Sequence, residues 1–239
     1  MATEQGQRTA IVTGAASGIG LATGERLLAG GWRVIGIDLV DAALPGGELL
    51  VGDAGDASLL ARAVSTAGDR LDGLVCAAGV PPRPPWDDPA RWEEAIRVDL
   101  TAPFTAVRIA WPALRAAKGA VVLVGSIVGT VEGSLRSPGY AAAKAGLEGL
   151  ARSAALVGGP DGVRVNVVAP GPIETPFDAP LLPPDVRADV PLGRMGSASE
   201  VAGAIAWLLG PDASYVTGSV VRVDGGRSIL AAAEALRKG

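Results

Sequence analysis

The chain has 239 residues, 49% hydrophobic and 19% charged, enough to bury a sizeable core in one α/β domain, and its net charge of -4 gives no nucleic-acid footprint. It has no histidine and one cysteine, Cys76, which excludes a Ser-His-Asp hydrolase, a histidine base, a His-ligated zinc, a cysteine-rich metal site and an intrachain disulfide. No apolar run reaches the roughly 18 residues of a membrane span, and Met1 to Arg8 lacks the apolar core of a signal peptide, so a cytoplasmic protein without a membrane partner is expected.

The first apolar run, Ala10 to Thr13, reads as a buried strand and leads through Thr13-Gly14-Ala15-Ala16-Ser17-Gly18-Ile19-Gly20 into a helix predicted over Gly18 to Ala29. Glycines belong where a backbone must turn tightly and approach a pyrophosphate seated on helix N-terminal amides. The Gly-x3-Gly-x-Gly spacing is one residue longer than the usual dinucleotide fingerprint, yet its place between strand and helix makes Gly14, Ser17, Gly18, Ile19 and Gly20 cofactor candidates. A second strand, Arg33 to Ile37, ends at Asp38, 18 residues after Gly20. A carboxylate at about that offset accepts from the adenosine ribose and repels a 2′-phosphate, which favours NAD over NADP. A third short strand, Glu48 to Val51, follows so closely that the crossover helix before it is expected to be a single turn. Asp53 and Ala54 come next; Asp53 is placed to accept from the adenine amino group, and aspartate is equally at home in a plain turn.

A helix over Ser58 to Ala67 and a strand over Leu71 to Cys76 precede Ala77-Ala78-Gly79 and the proline-dense loop Val80 to Trp86. A long helix is predicted over Pro89 to Ala117, then a strand over Ala120 to Val124 closed by Ser126, and a helix over Tyr140 to Val157. The strand Val163 to Ala169 runs into Pro170-Gly171 and a second long loop, Ile173 to Pro191, a candidate lid. A helix over Ser199 to Leu209, capped by Ser197 or Ser199, and a strand over Val220 to Val223 complete the pattern. Alternating strand and helix imply right-handed crossovers and a Rossmann-type doubly wound parallel sheet of about seven strands, with helices on both faces and ligands at its carboxyl edge.

Without histidine, proton chemistry falls to carboxylates, the cysteine, three lysines or two tyrosines. Tyr140 and Lys144 stand four apart, on one face of their helix and one turn apart. An ammonium beside a phenol favours the phenolate, suiting it to exchange a proton with an alcohol or ketone. Alone, such a pair is usually an ordinary exposed one. Joined to the glycine turn, Ser126 and Pro170-Gly171, it becomes specific.

On these segments, with Ala77-Ala78-Gly79, Asn166 and Val223-Asp224-Gly225-Gly226, the chain resembles the short-chain dehydrogenase/reductase family over nearly its whole length. It looks most like bacterial 3-oxoacyl-thioester reductases and their alcohol-dehydrogenase relatives. The resemblance implies a nicotinamide-dependent enzyme acting on a small-molecule alcohol or ketone, with NAD as the cofactor that Asp38 favours. Tyr140 is then the general acid/base, Lys144 holds the nicotinamide ribose and favours the phenolate, and Ser126 bonds the substrate oxygen. Ala78, Gly79, Pro170, Gly171, Ile173 and Thr175 would complete the cofactor site. It also implies a homotetramer paired through the Pro89 to Ala117 and Tyr140 to Val157 helices. Apolar candidates for the substrate wall are Val80, Trp86, Ile127, Phe177, Leu181 and Leu182, favouring a largely apolar substrate.

Three departures stand out. Cys76-Ala77-Ala78-Gly79 lacks two amides usual in the family, which points to altered packing with the chemistry kept. Asp99 stands where the family's fourth catalytic residue is normally Asn and is a catalytic candidate on that match: an aspartate could keep the family role of holding a water that links the lysine to solvent, while a carboxylate near Lys144 would strengthen the ammonium and shift the pH profile. Ser126 lies 14 residues before Tyr140, one more than the family leads one to expect; Ser134 and Ser137 are the alternatives, and Ser126 is preferred because a strand end fixes a side chain better than a loop. The rival readings are a 3-oxoacyl thioester reductase, disfavoured by Asp38; a non-catalytic dinucleotide sensor, which has no need of Ser126, Tyr140 and Lys144; and a methyltransferase, which would not carry the Tyr-x3-Lys pair.

Overall fold

A computed structural model describes residues 6–177 and 189–230. Seven parallel strands form the central sheet: β1 (Thr9–Thr13), β2 (Arg33–Asp38), β3 (Glu48–Val51), β4 (Gly73–Cys76), β5 (Ala120–Val124), β6 (Arg164–Pro170) and, after two short strands described below, β9 (Val220–Val223). Their spatial order is β3-β2-β1-β4-β5-β6-β9. Chain progression therefore reverses beside β1, which pairs with β2 on one side and β4 on the other, so that Thr13 faces both Ile37 and Cys76. The chain continues from β1 to one face of the sheet and from β4 to the other, and this opens the crevice where ligands of such sheets bind.

Alternate strand residues feed two cores. Ala10 and Val12 of β1 pack with Leu27 of α1 (Gly18–Ala29) and Val201, Ile205 and Leu208 of α7 (Ala198–Leu209). Ile11 packs to the other face with Leu59 and Leu60 of α2 (Ala57–Ala67), Leu114 of α4 (Ala102–Ala117) and Leu147 of α6 (Pro138–Gly158). Burying a leucine this completely contributes about 1.5–3 kcal/mol, which explains why the inner strands carry continuous Val, Ile and Leu.

Helix starts follow their caps. Asp56 accepts from Ser58 N, Asp88 from Ala90 N and Ser137 from Tyr140 N, so the helix carrying Tyr140 begins two residues earlier than predicted, with Pro138 in its first turn. Ser197, not Ser199, caps α7, in a capping box with Glu200. Two expectations fail. Residues 39–47 contain no helix; Pro45-Gly46-Gly47, with Gly46 at positive φ, turns the chain instead. The predicted Pro89 to Ala117 helix is divided into α3 (Pro89–Ile96), a π-helical turn (Arg97–Thr101) and α4. An irregular turn, α5 (Ile127–Thr130), follows Ser126. Beyond the main sheet, β7 (Ile173–Glu174) pairs with β8 (Gly196–Ser197). Most of the candidate lid, with Leu181 and Leu182, lies outside the described residues. Among those described, no helix is long and apolar enough to cross a membrane.

Candidate active site

A cleft of about 340 Å³ follows the carboxyl edge of the sheet from Asp38 and Asp53 to Ser126 and Tyr140. All the cofactor candidates, from Gly14 to Thr175, line it.

At the nucleotide end the glycines are required by contact as well as conformation. Gly14 has φ 71°, its N donates to Ile37 O at 2.8 Å, and a Cβ there would lie 2.7 Å from Ala78 N. A Cβ on Gly20 would run into the Gly14 carbonyl, and Gly18 has φ 51°. The Ser17 hydroxyl does not cap α1, so the amides of its first turn face the cleft without a side-chain acceptor from their own cap. Asp38 is fixed from two directions: Oδ2 accepts from Ala16 N at 2.9 Å and Oδ1 from Val40 N at 3.0 Å. Asp53 is held by its own turn and by an arginine. Its Oδ1 shapes the turn by accepting from Gly55 N at 2.7 Å, while Oδ2 lies 2.8 Å from Arg97 Nη1 at the cleft wall. This backbone cradle, with a carboxylate at the end of β2, fits a nicotinamide dinucleotide.

At the other end, the first two turns of α6 bury Tyr140 and Lys144 side by side. Lys144 Nζ lies 5.4 Å from the Tyr140 ring centroid, donates to Val124 O at 3.0 Å and sits 3.1 Å from Asp99 Oδ1. Burial disfavours the ammonium, but Asp99 and Tyr140 more than offset it, so the pKa of Lys144 is raised. Asp99 is fully buried; burial pushes its carboxyl up, and Lys144 draws it back only in part. Ser126 closes β5 in extended conformation, with its Oγ accepting from Val128 N at 3.1 Å, and lines the cleft. The two alternatives are engaged elsewhere: Ser137 caps α6, and Ser134 accepts from the amides of Arg136 and Ser137. Gly129, at φ 91°, lets the turn after Ser126 press on α6, since a Cβ there would strike the Ala141 carbonyl.

Of the expected substrate wall, Val80 and Phe177 line the cleft, and the Phe177 ring lies 6.5 Å from that of Tyr140. Ile127 is buried in the core and Trp86 is largely exposed; neither lines the cleft. The Cys76 thiol is pushed up to about 12 by burial, which makes it an inert core residue. Where the family's amides are missing, the amides of Ala77 and Ala78 both donate to Thr13 Oγ1 at 3.2 Å and tie this loop to β1. Sequence reasoning missed Arg97, Glu94 and Leu39 in the cleft wall; no local motif marks them.

A doubly wound sheet with a glycine cradle at one end of its cleft and a serine, tyrosine and lysine at the other defines a nicotinamide-dependent oxidoreductase. Residues 14–228 match the family model described as enoyl-(acyl carrier protein) reductase, and the chain belongs to the short-chain dehydrogenase/reductase family. It is 42% identical over 243 residues to the cis-4-hydroxycyclohexanecarboxylate dehydrogenase of Sinomonas cyclohexanicum, covering 92% of this chain and 96% of the relative. The 3-oxoacyl-(acyl-carrier-protein) reductase FabG of Salmonella typhimurium is 35% identical over 239 residues, with 92% and 96% covered. Among solved structures, a Burkholderia thailandensis oxidoreductase of the same family superposes with a TM-score of 0.87 at 33% identity, over 98% of this chain and 99% of that one. Family members of this kind act on hydroxyl and keto groups with a nicotinamide dinucleotide.

Proposed function

We propose that the protein is an NAD(H)-dependent dehydrogenase that interconverts a secondary alcohol and a ketone on a largely apolar small molecule. The observation that carries this reading is the meeting of Ser126, Tyr140 and Lys144 at one end of a cleft whose other end presents the Asp38 carboxylate. When bound, the dinucleotide supplies the hydride acceptor or donor. The chain's own residues do the rest. Asp38 accepts from the adenosine ribose hydroxyls and disfavours a 2′-phosphate; Gly14 to Gly20 bring backbone amides to the pyrophosphate. Ser126 Oγ donates to the substrate oxygen, and the Tyr140 oxygen takes the alcohol proton in oxidation and returns it in reduction. The Lys144 ammonium stabilises charge on Tyr140 and binds the nicotinamide ribose, with Asp99 behind it. Val80 and Phe177 give the reacting end apolar walls.

The 42% identity to a dehydrogenase named for a hydroxylated cyclohexane carboxylate supports a cyclic secondary alcohol as substrate. A second reading, 3-oxoacyl thioester reduction, is favoured by the 35% identity to FabG and opposed by Asp38, because such biosynthetic reductases usually take NADPH. The exposed Phe104 of α4 and Leu156 and Val157 of α6 support pairing of those helices in a homotetramer, which we place in the cytoplasm as a single-domain enzyme.

The test is cofactor reduction, followed by absorbance, against cyclic secondary alcohols, diols and hydroxyacyl thioesters, with Tyr140→Phe as control. We expect turnover of a cyclic alcohol with NAD, and a loss in Tyr140→Phe of about 10²–10⁴-fold in kcat with cofactor binding retained. A fully active Tyr140→Phe, or tight NAD binding without turnover of any substrate, refutes the catalytic reading and leaves a dinucleotide sensor.

A further inference from the structure

Asp99 and Lys144 are the two buried charged residues among those described, and they touch. Asp99 comes from the π-helical turn, Lys144 from α6. Asp99 Oδ1 takes the ammonium at 3.1 Å and the Val80 amide at 3.3 Å, whereas Oδ2 is buried with no hydrogen-bond partner among the described residues. The carboxylate's field is thus spent chiefly on Lys144. Gly79 closes over the pair: a Cβ there would lie 2.6 Å from Asp99 Oδ1 and 3.6 Å from Lys144 Nζ. The same ammonium lies 5.4 Å from the Tyr140 ring centroid.

We propose that Asp99 is a positioning residue whose carboxylate, lodged behind Lys144, holds the ammonium in place and cancels part of its field at Tyr140, so that proton exchange at Tyr140 runs at higher pH than with the isosteric amide. This rests on the proposed function only in taking Tyr140 as the proton carrier. An asparagine would keep an oxygen for the Val80 amide but would oppose Lys144 with a dipole instead of a charge. Through Nζ, Asp99 Oδ1 lies within about 9 Å of the Tyr140 ring centroid, and at that range in a partly buried setting one unit charge is worth on the order of one pKa unit at the phenol. Two other titratable groups act on this ion pair, and both are kept in the variants. Cys76, on β4, is held as a neutral thiol by burial. Glu94, on α3, adds a like charge from the cleft wall.

The chain has two tyrosines, and Tyr215 is fully exposed, so Tyr215→Phe leaves Tyr140 as the only phenol. The near-ultraviolet absorbance of the phenolate then titrates Tyr140 directly, with neither substrate nor cofactor present. In that background Asp99→Asn is expected to lower the midpoint by about one pH unit, and Asp99→Ser, smaller but also neutral, to lower it as well. The acid limb of kcat/KM for alcohol oxidation should move with it. An unchanged or raised midpoint in Asp99→Asn overturns the proposal, and so does a shift confined to Asp99→Ser, which would report packing and not charge. An error in the substrate class leaves this titration readable, whereas full activity in Tyr140→Phe removes Tyr140 as the proton carrier and leaves only the charge effect on its phenol to be read.

Discussion

Asp38→Ala should relax the choice between NAD and NADP, and the contacts of the carboxylate set the size of the effect. In the protein alone, Asp38 accepts from Ala16 N and Val40 N. Val40 is exposed, so water replaces its bond, and losing the half-buried Ala16 contact costs about 1 kcal/mol of stability, or about 2–4 °C in Tm. In the complex, the variant also loses a charge-assisted bond to the ribose, about 1.5–3 kcal/mol, which raises KM for NAD about 10- to 150-fold. NADP gains instead. A phosphate of about -1.5 to -2 charge no longer meets a carboxylate, and even at the dielectric of water that repulsion is worth about 1.5 kcal/mol at contact distances. The ratio of kcat/KM for NAD to that for NADP should therefore fall by about 10²–10³, while kcat with saturating NAD changes little, because Asp38 lies at the far end of the cleft from Tyr140. Steady-state kinetics with both cofactors and one alcohol measure this. A wild-type preference for NADP, or an unchanged ratio in the variant, would refute the reasoning.

Two more outcomes follow from the titrating groups. The Cys76 thiol, pushed up to about 12 by burial, should resist a thiol-specific chromogenic reagent at neutral pH and react stoichiometrically once the chain is unfolded; fast labelling of the native protein would contradict its place in the core. The Glu200 carboxyl is lowered to about 2 by its side-chain bonds to Arg194 and by the Ser197 amide of the capping box. A depressed folded pKa means that its contribution is present above the ordinary carboxylate range and is lost as pH falls from about 4.5 toward 2. Glu200→Gln should therefore lie slightly below wild type in Tm at neutral pH, with the gap closing over that window; a gap constant with pH would show that charge plays no part. The pair is exposed, so salt should shrink the gap too.

The sheet and the cleft were legible because this architecture ties chemistry to strand ends. Once the runs ending at Thr13, Asp38, Cys76, Val124 and Pro170 read as parallel strands, their carboxyl ends had to share one edge, and the residues just beyond them had to share one cleft. What stayed illegible depends on contacts between segments far apart in the chain. The π-helical turn interrupts a stretch whose composition is uniformly helix-compatible, and one extra residue in a turn leaves no mark in composition. Arg97 shows the same limit: it opens the π-helical turn while its partner, Asp53, lies on the loop after β3, and nothing near either residue announces the pair.

Asp99 is the instructive intermediate case. Its spacing from Ala95, Ala102 and Ala106, all buried, follows the three-to-four repeat of an inward helix face, so the pattern alone put a carboxylate where an apolar residue belongs. A buried carboxylate requires a partner, because an isolated one would give up its charge. Lysine is scarce in this chain, and Lys144 is the lysine whose helix the motif aims at the same edge of the sheet. The pairing with Lys144 was legible through the family resemblance, which sets Asp99 at the position of the family's fourth catalytic residue. Its consequence was not, since the size of the effect on Tyr140 depends on how near the carboxylate and the phenol stand to the same ammonium, and only the fold supplies those distances: Nζ lies 3.1 Å from Asp99 Oδ1 and 5.4 Å from the Tyr140 ring centroid.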